Sequence, residues 1–359
     1  MQAIPCVLMR GGTSKGPVFL GSDLPRDPAR RDEMLLALMG SGNELEVDGI
    51  GGGYPQTSKV AIVSPSSEPG IDVDYLFVQV MVEQRRVDTS PNCGNMLSAV
   101  GPFAIEQGLV AARGDVTRVT IRNVNTQSVI DADIQTPDGR VTYVGETRID
   151  GVPGTAAPVL LEFRNAVGAK TGELYPTGHP RDVIDGLEVT CLDAAMPMVL
   201  MRAADFGKRG DESPAELDGD RELMARLESI RRQAGAAMGL GDVADKVIPK
   251  PVLISAPQAG GTLQVRYFMP HRCHRALAIT GAVGLAVSCA DARGITDGLA
   301  SLPDDSGLME FEHPSGRLGV VSHWPAGQQW PRCSLVRTAR RLFSGSVFVP
   351  ETLELDAAG

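Results

Sequence analysis

Hydrophobic positions recur along this 359-residue chain with two different periods, and the changes of period mark out its elements. Alternation over residues 3–9 and 17–20 predicts two short strands around the segment Arg10-Gly11-Gly12-Thr13-Ser14-Lys15-Gly16. A helical stripe over 28–40 ends at Gly40, a natural left-handed stop. After the glycine cluster Gly49–Gly53, β-like density returns at Ser58–Ser64 and Asp72–Glu83. Cys93–Gln107 switches to helical spacing through Met96, Val100, Phe103 and Ile105, with Asn92 as the expected N-cap and Gly108 as the stop. Arg118–Asn123, Ser128–Ile134 and Val141–Val144 then alternate as a meander, and Pro137-Asp138-Gly139 reads as a hairpin signal.

The second half repeats this rhythm. Strands are expected at Glu188–Leu192 and Met198–Arg202, a long helix at Asp220–Met238, strands at Val252–Ser255 and Leu263–Phe268, and a buried helix at about 281–292. Gly94-Asn95-Met96-Leu97-Ser98-Ala99-Val100 can be laid over Gly281-Ala282-Val283-Gly284-Leu285-Ala286-Val287, and glycines (Gly108, Gly294) close both segments. Two strand-rich halves, each with one apolar helix, indicate a duplicated α+β architecture. The expected domains are 1–184, completed by the C-terminal strand 343–350, and 185–359.

Composition narrows the function classes. With 43% hydrophobic and 22% charged residues the chain is ordinary for a folded protein, while 41 Gly and 25 Pro imply many tight connections. A formal charge of −10 and a pI near 5.1 disfavour nucleic-acid and anionic-membrane partners. An anionic ligand would need a local cationic pocket. Six cysteines without CxxC spacing suggest neither a zinc site nor a disulfide framework. The N-terminus lacks the features of a signal peptide and no later apolar run reaches membrane-spanning length, so a cytoplasmic protein with reduced thiols is expected.

Chemistry concentrates in a few places. Cys93 at a helix start sits where unpaired N–H groups and the positive dipole end favour a thiolate or a bound carboxylate. Lys59 follows the glycine-rich turn beside Thr57 and Ser58, and would be a base if it faced a cleft. Thr13, Ser14 and Lys15 lie among glycines in an anion-nest pattern. Pro270-His271-Arg272-Cys273-His274-Arg275 supplies cationic donors ahead of the second helix, without neighbouring carboxylates that would suggest a metal site.

Read together and in order, Arg10–Gly16, Thr57-Ser58-Lys59-Val60-Ala61, Asp72–Phe77, Asn92-Cys93-Gly94-Asn95 and Val100-Gly101-Pro102-Phe103-Ala104 resemble the PrpF family. Ile149–Gly154, Met238–Val243, Pro270-His271-Arg272 and Val336–Arg340 continue the likeness over nearly the whole chain. Within the family the chain looks most like 4-oxalomesaconate tautomerases and isomerases.

The resemblance implies a diaminopimelate epimerase-like fold, two pseudo-symmetric domains with strands wrapped around a central helix. It implies a cofactor-independent proton shift on a small unsaturated tricarboxylate, with Lys59 and Cys93 as the catalytic pair. Ile279-Thr280-Gly281 stands where a two-thiol epimerase would carry its second cysteine, which removes the symmetric mechanism. Thr13, Ser14, Lys15, Ser58, Asn92, Gly94, Asn95, His271, Arg272, Thr280 and Gly281 become the expected substrate-binding set, with no metal. A homodimer is an admitted assembly. The alternatives are a 2-methylaconitate or aconitate cis–trans isomerase and, in another class, a non-catalytic tricarboxylate-binding accessory protein.

Overall fold

A computed structural model of the chain describes residues 1–89, 93–303 and 307–350. Its contacts divide the chain into two compact units, Met1–Arg164 with Arg337 onward, and Asn165–Val336. The first contains β1 (Gln2–Gly11), β2 (Ser14–Leu20), α1 (Pro28–Met39), β3 (Lys59–Pro65), β4 (Val73–Val80), β5 (Val87–Asp88), α2 (Gly94–Glu106), β6 (Val116–Asn123), β7 (Val129–Gln135) and β8 (Pro158–Phe163). The second contains β9 (Asp182–Ile184), β10 (Leu187–Ala194), β11 (Met196–Arg202), α3 (Pro214–Gly219), α4 (Arg221–Ala237), β12 (Lys250–Ser255), β13 (Leu263–Tyr267), α5 (Ile279–Asp291), β14 (Leu308–His313) and β15 (Gly316–His323). The long β16 (Arg332–Val349) is shared: residues 332–335 pair with β15, and residues 339–349 pair with β1.

The duplication is explicit in the order and sense of strand pairing. In the first unit β1–β2 is antiparallel, β2–β3 parallel, β3–β4 antiparallel, β4–β6 parallel, and β6–β7 and β7–β8 antiparallel. The second unit repeats the same six steps through β10, β11, β12, β13, β14, β15 and β16. Each parallel step needs a crossover, and α1, α2, α4 and α5 supply them. Ala61 pairs with Val18 and Phe77, as Val252 pairs with Leu200 and Tyr267. Lys59 and Lys250 therefore occupy the same register position, two residues before those anchors.

A central helix in each unit fits the expected fold class. Met96 to Ala104 of α2 are nine consecutive buried residues, so this helix is apolar around its whole circumference and is enclosed by β1–β4 and β6–β8. In α5, Gly281 to Cys289 form an equivalent buried run, packed on β10, β11 and β15. Each fully buried Leu, Val or Phe contributes about 1.5–3 kcal/mol to holding these helices in place.

Several sequence expectations shift. Cys93 is itself the N-cap of α2, and Asn92 lies outside the described residues. The left-handed stop of α5 is Ala292 (φ 52°), while Gly294 is needed because a Cβ there would press on Thr190. Val141–Val144 forms no strand; β8 pairs with β7 instead, and Pro137-Asp138-Gly139 is a local turn in a longer connection. The boundary expected at residue 184 falls at 164. Residues 168–174 are tied to β10 by the N–H groups of Lys170 and Thr171, both 2.7 Å from Asp193 Oδ2, and by backbone bonds between Gly168, Leu174 and Asp193.

Candidate active site

The hairpin joining β1 to β2 reaches the start of α2 because its glycines leave room. A Cβ on Gly11 would overlap the Asn95 carbonyl, and one on Gly12 (φ +51°) the Asn95 side chain. In return, Asn95 Nδ2 donates to Thr13 Oγ1 at 3.1 Å. Gly16 performs the same service for β3, where any side chain would collide with the Lys59 carbonyl. The glycine-rich segment thus sets the distance between β2, β3 and the helix start.

Lys59 opens β3 and points its Nζ at three neighbours. Its Nζ donates to Gln79 Oε1 at 3.0 Å, lies 3.7 Å from Cys93 Sγ and sits 5.1 Å above the Phe77 ring. Gln79 is the residue paired with Lys59 across β3–β4. Its amide nitrogen donates to the carbonyls of Ser58 at 2.8 Å and Pro55 at 3.1 Å, which fixes the oxygen toward the lysine.

Cys93 is buried at the helix start, in extended conformation (φ −131°, ψ 98°), and its thiol makes no capping bond. The first N–H groups of α2, from Gly94 on, have no intrahelical partner, as at any helix start. The Tyr75 hydroxyl donates to the Cys93 carbonyl at 3.3 Å. Burial first, and then the Cys93 charge, push the Tyr75 phenol well up, so it remains a proton donor. Arg337, almost wholly enclosed, is pulled down to about 10 by burial while the Cys93 charge opposes that shift. It remains a cation at neutral pH.

Ser58 is fully buried, but its hydroxyl is engaged by Glu46 Oε1, whose other oxygen accepts the Gly53 N–H at 2.9 Å. Ser58 braces the glycine-rich turn through its side chain and Gln79 through its carbonyl. Lys15 departs further from expectation. With Arg10 and Arg340 it lines a cavity to which neither Lys59 nor Cys93 contributes. Ser14 is buried at the same cavity's edge.

In the second unit, His271 is exposed and lies 3.9 Å from Glu228 of α4. Arg272 is exposed on a turn whose carbonyl accepts the Met269 N–H at 2.8 Å. Thr280 and Gly281 fall in the first turn of α5, where Gly281 packs on the Tyr267 ring. By helix start the counterpart of Cys93 is Ala278 rather than Thr280, and neither is a thiol. Among the described residues no group of three or more His, Cys, Asp or Glu side chains is placed to hold a metal ion, and no helix is long and apolar enough to cross a membrane.

Gln79, Tyr75 and Arg337 escaped sequence reasoning. The available signal was a polar or ionisable residue interrupting an apolar strand, Gln79 in Tyr-Leu-Phe-Val-Gln-Val and Arg337 in Leu-Val-Arg-Thr-Ala.

A helix-mouth thiol beside a strand-borne lysine narrows the comparison with known proteins. The sequence profile described as PrpF protein matches residues 1–350. The chain belongs to the PrpF family. It is 50% identical over 347 residues to a 4-oxalomesaconate tautomerase of Pseudomonas putida, covering 96% of both chains. It is 49% identical over 350 residues to a (4E)-oxalomesaconate Delta-isomerase of a Novosphingobium species, covering 97% of this chain and 98% of the relative. The crystal structure of a methylitaconate-delta-isomerase superposes with a TM-score of 0.86 at 34% identity, covering 96% of this chain and 95% of that one. The family, the isomerase class and the fold expected from the sequence are borne out.

Proposed function

We propose that this PrpF-family member shifts a proton on an unsaturated tricarboxylate, with 4-oxalomesaconate as the substrate that its two half-identical relatives favour. The observation that carries the reading is the 3.7 Å approach of Lys59 Nζ to Cys93 Sγ at the start of α2. A carbon made acidic by adjacent carboxylate, alkene or keto groups loses its proton to Lys59, giving a delocalised enolate. Cys93 returns a proton elsewhere on the conjugated system, or holds the intermediate for that return. The first N–H groups of α2, from Gly94 and Asn95, together with Thr13, take up carboxylate or enolate charge. Gln79 holds the lysine in line, Arg337 steadies the thiolate left once Cys93 has given up its proton, and the proton gained by Lys59 passes across the 3.7 Å gap to restore the thiol. A proton shift of this kind consumes no electrons and calls for no redox cofactor.

The substrate-binding roles of His271, Arg272, Thr280 and Gly281 are part of the same proposal, as are a cytoplasmic location and a homodimer. Six free cysteines suit a reducing compartment. Exposed Leu342, Phe343 and Phe348 on β16 offer apolar surface for a second copy, and light scattering on the purified chain measures that state.

Incubation with 4-oxalomesaconate in deuterated water tests the reaction. Deuterium entering a substrate carbon, followed by proton NMR with the ultraviolet spectrum, separates keto–enol tautomerisation from a 1,3-allylic shift. Binding without label or spectral change would replace the isomerase with a binding protein.

A further inference from the structure

The first unit contains a cavity of about 580 Å³ to which neither Lys59 nor Cys93 contributes, and which shares only Thr13 with the groups assigned above to the proton shift. Its floor is a cross-strand row of like charges. Arg10 of β1 pairs directly with Lys15 of β2 on one side and with Arg340 of β16 on the other, so the three side chains leave the sheet next to one another. Like charges directly opposite each other destabilise a sheet. None of the three has a carboxylate partner among the described residues: Arg10 is spent on the Gly12 carbonyl (2.9 Å) and on the carbonyl and hydroxyl of Thr338 (3.0 Å each). Burial first, and then the charge of Arg340, pull the Arg10 guanidinium down.

The cavity's other wall is the connection between β7 and β8. It is drawn into a tight loop by the Thr147–Ala156 bridge and the bond from Ala157 N–H to the Tyr143 carbonyl at 3.1 Å. Gly145 permits this, since a Cβ there would strike the backbone of Ala156 and Ala157. Val144, Val152, Pro153 and Leu342 give the cavity apolar surface, and Glu146 is its single carboxylate. Three cations against one carboxylate leave two positive charges.

We propose that this cavity is a second binding site, separate from Lys59 and Cys93, for a small dianion carrying an apolar body. Two charges on the ligand would cancel the row, and the apolar wall would cover its body. Dicarboxylates and phosphate monoesters share that chemistry.

The test is calorimetric titration of the full chain at pH 7 and low ionic strength with phthalate, phenyl phosphate and inorganic phosphate. Binding of phthalate or phenyl phosphate at one per chain is expected, the tighter of the two assigning the anion. Arg340→Glu, at an exposed position, should weaken it about tenfold or more, and Glu146→Gln should tighten it. Lys59→Met and Cys93→Ser should leave it unchanged. The proposal is overturned if no probe binds at millimolar concentration, if both charge substitutions are silent, if Lys59→Met abolishes binding, or if inorganic phosphate binds as well as either ring compound.

Discussion

The two units run through the same six pairings, and each begins the strand after its first crossover with a lysine, Lys59 in one and Lys250 in the other. Each side-chain nitrogen meets a residue at or just beyond the end of the neighbouring strand, but the neighbours differ. Lys59 finds an amide oxygen at 3.0 Å and, at the start of α2, a thiol at 3.7 Å. Lys250 finds the Met269 thioether at 4.0 Å, with only 4% of its surface exposed. Burial first, and then the charge of Arg231, lower it to about 8. One scaffold therefore yields a lysine beside a thiol at a helix start in one copy and an enclosed lysine in the other, and Gln79 against Met269 and Cys93 against Ala278 account for much of the difference.

The sharpest way to break this contrast is Lys59→Met, expected to reduce kcat about a thousandfold while the thermal midpoint stays near wild type. Cys93→Ser should follow with a loss of roughly a hundredfold. Near-normal turnover in either would move the chemistry away from the α2 mouth. Gln79→Leu removes the acceptor that aims the lysine and should cost about tenfold in kcat with little change in KM.

Lys250→Met is expected to act on stability. A lysine with a depressed folded-state value binds fewer protons in the native than in the unfolded state between about pH 8 and 10.5, so wild-type stability should rise across that window. Below pH 8 the buried charge costs on the order of 3 kcal/mol. The methionine variant should melt above wild type at pH 7, and the gap should close by pH 10.5. A fall in turnover comparable to that of Lys59→Met would instead make the two lysines functional equals.

Much of the scaffold was legible before any coordinates. The helices were marked by apolar spacing and by stops such as Gly40 and Gly108, signals that reside within a few residues. Cys93 was legible from its place at a helix start, and Lys59 as its partner from the resemblance of Thr57–Ala61 and Asn92–Asn95 to the PrpF family. The partners that give them meaning were not: Gln79 reaches Lys59 across the β3–β4 ladder, Tyr75 reaches from β4 to the Cys93 carbonyl at the helix start, and Arg337 lies on a strand more than two hundred residues away. Register decides such neighbours, and local pattern does not encode register between distant strands. Val141–Val144 misled for a related reason, since it lies in the connection from β7 to β8, where Tyr143 and Val144 line the cavity and the segment has no strand to pair with.

β16 carries a consequence for how the protein is made. Its last residues are the ladder partner of β1, so a ribosome that has released the first 164 residues has produced a sheet with an open edge. Synthesis from N- to C-terminus means that the unit begun first is completed last, after Val336 has emerged. An isolated fragment of residues 1–164 would keep that edge and associate through it, whereas appending residues 337–350 by a flexible linker should return it to a monodisperse form.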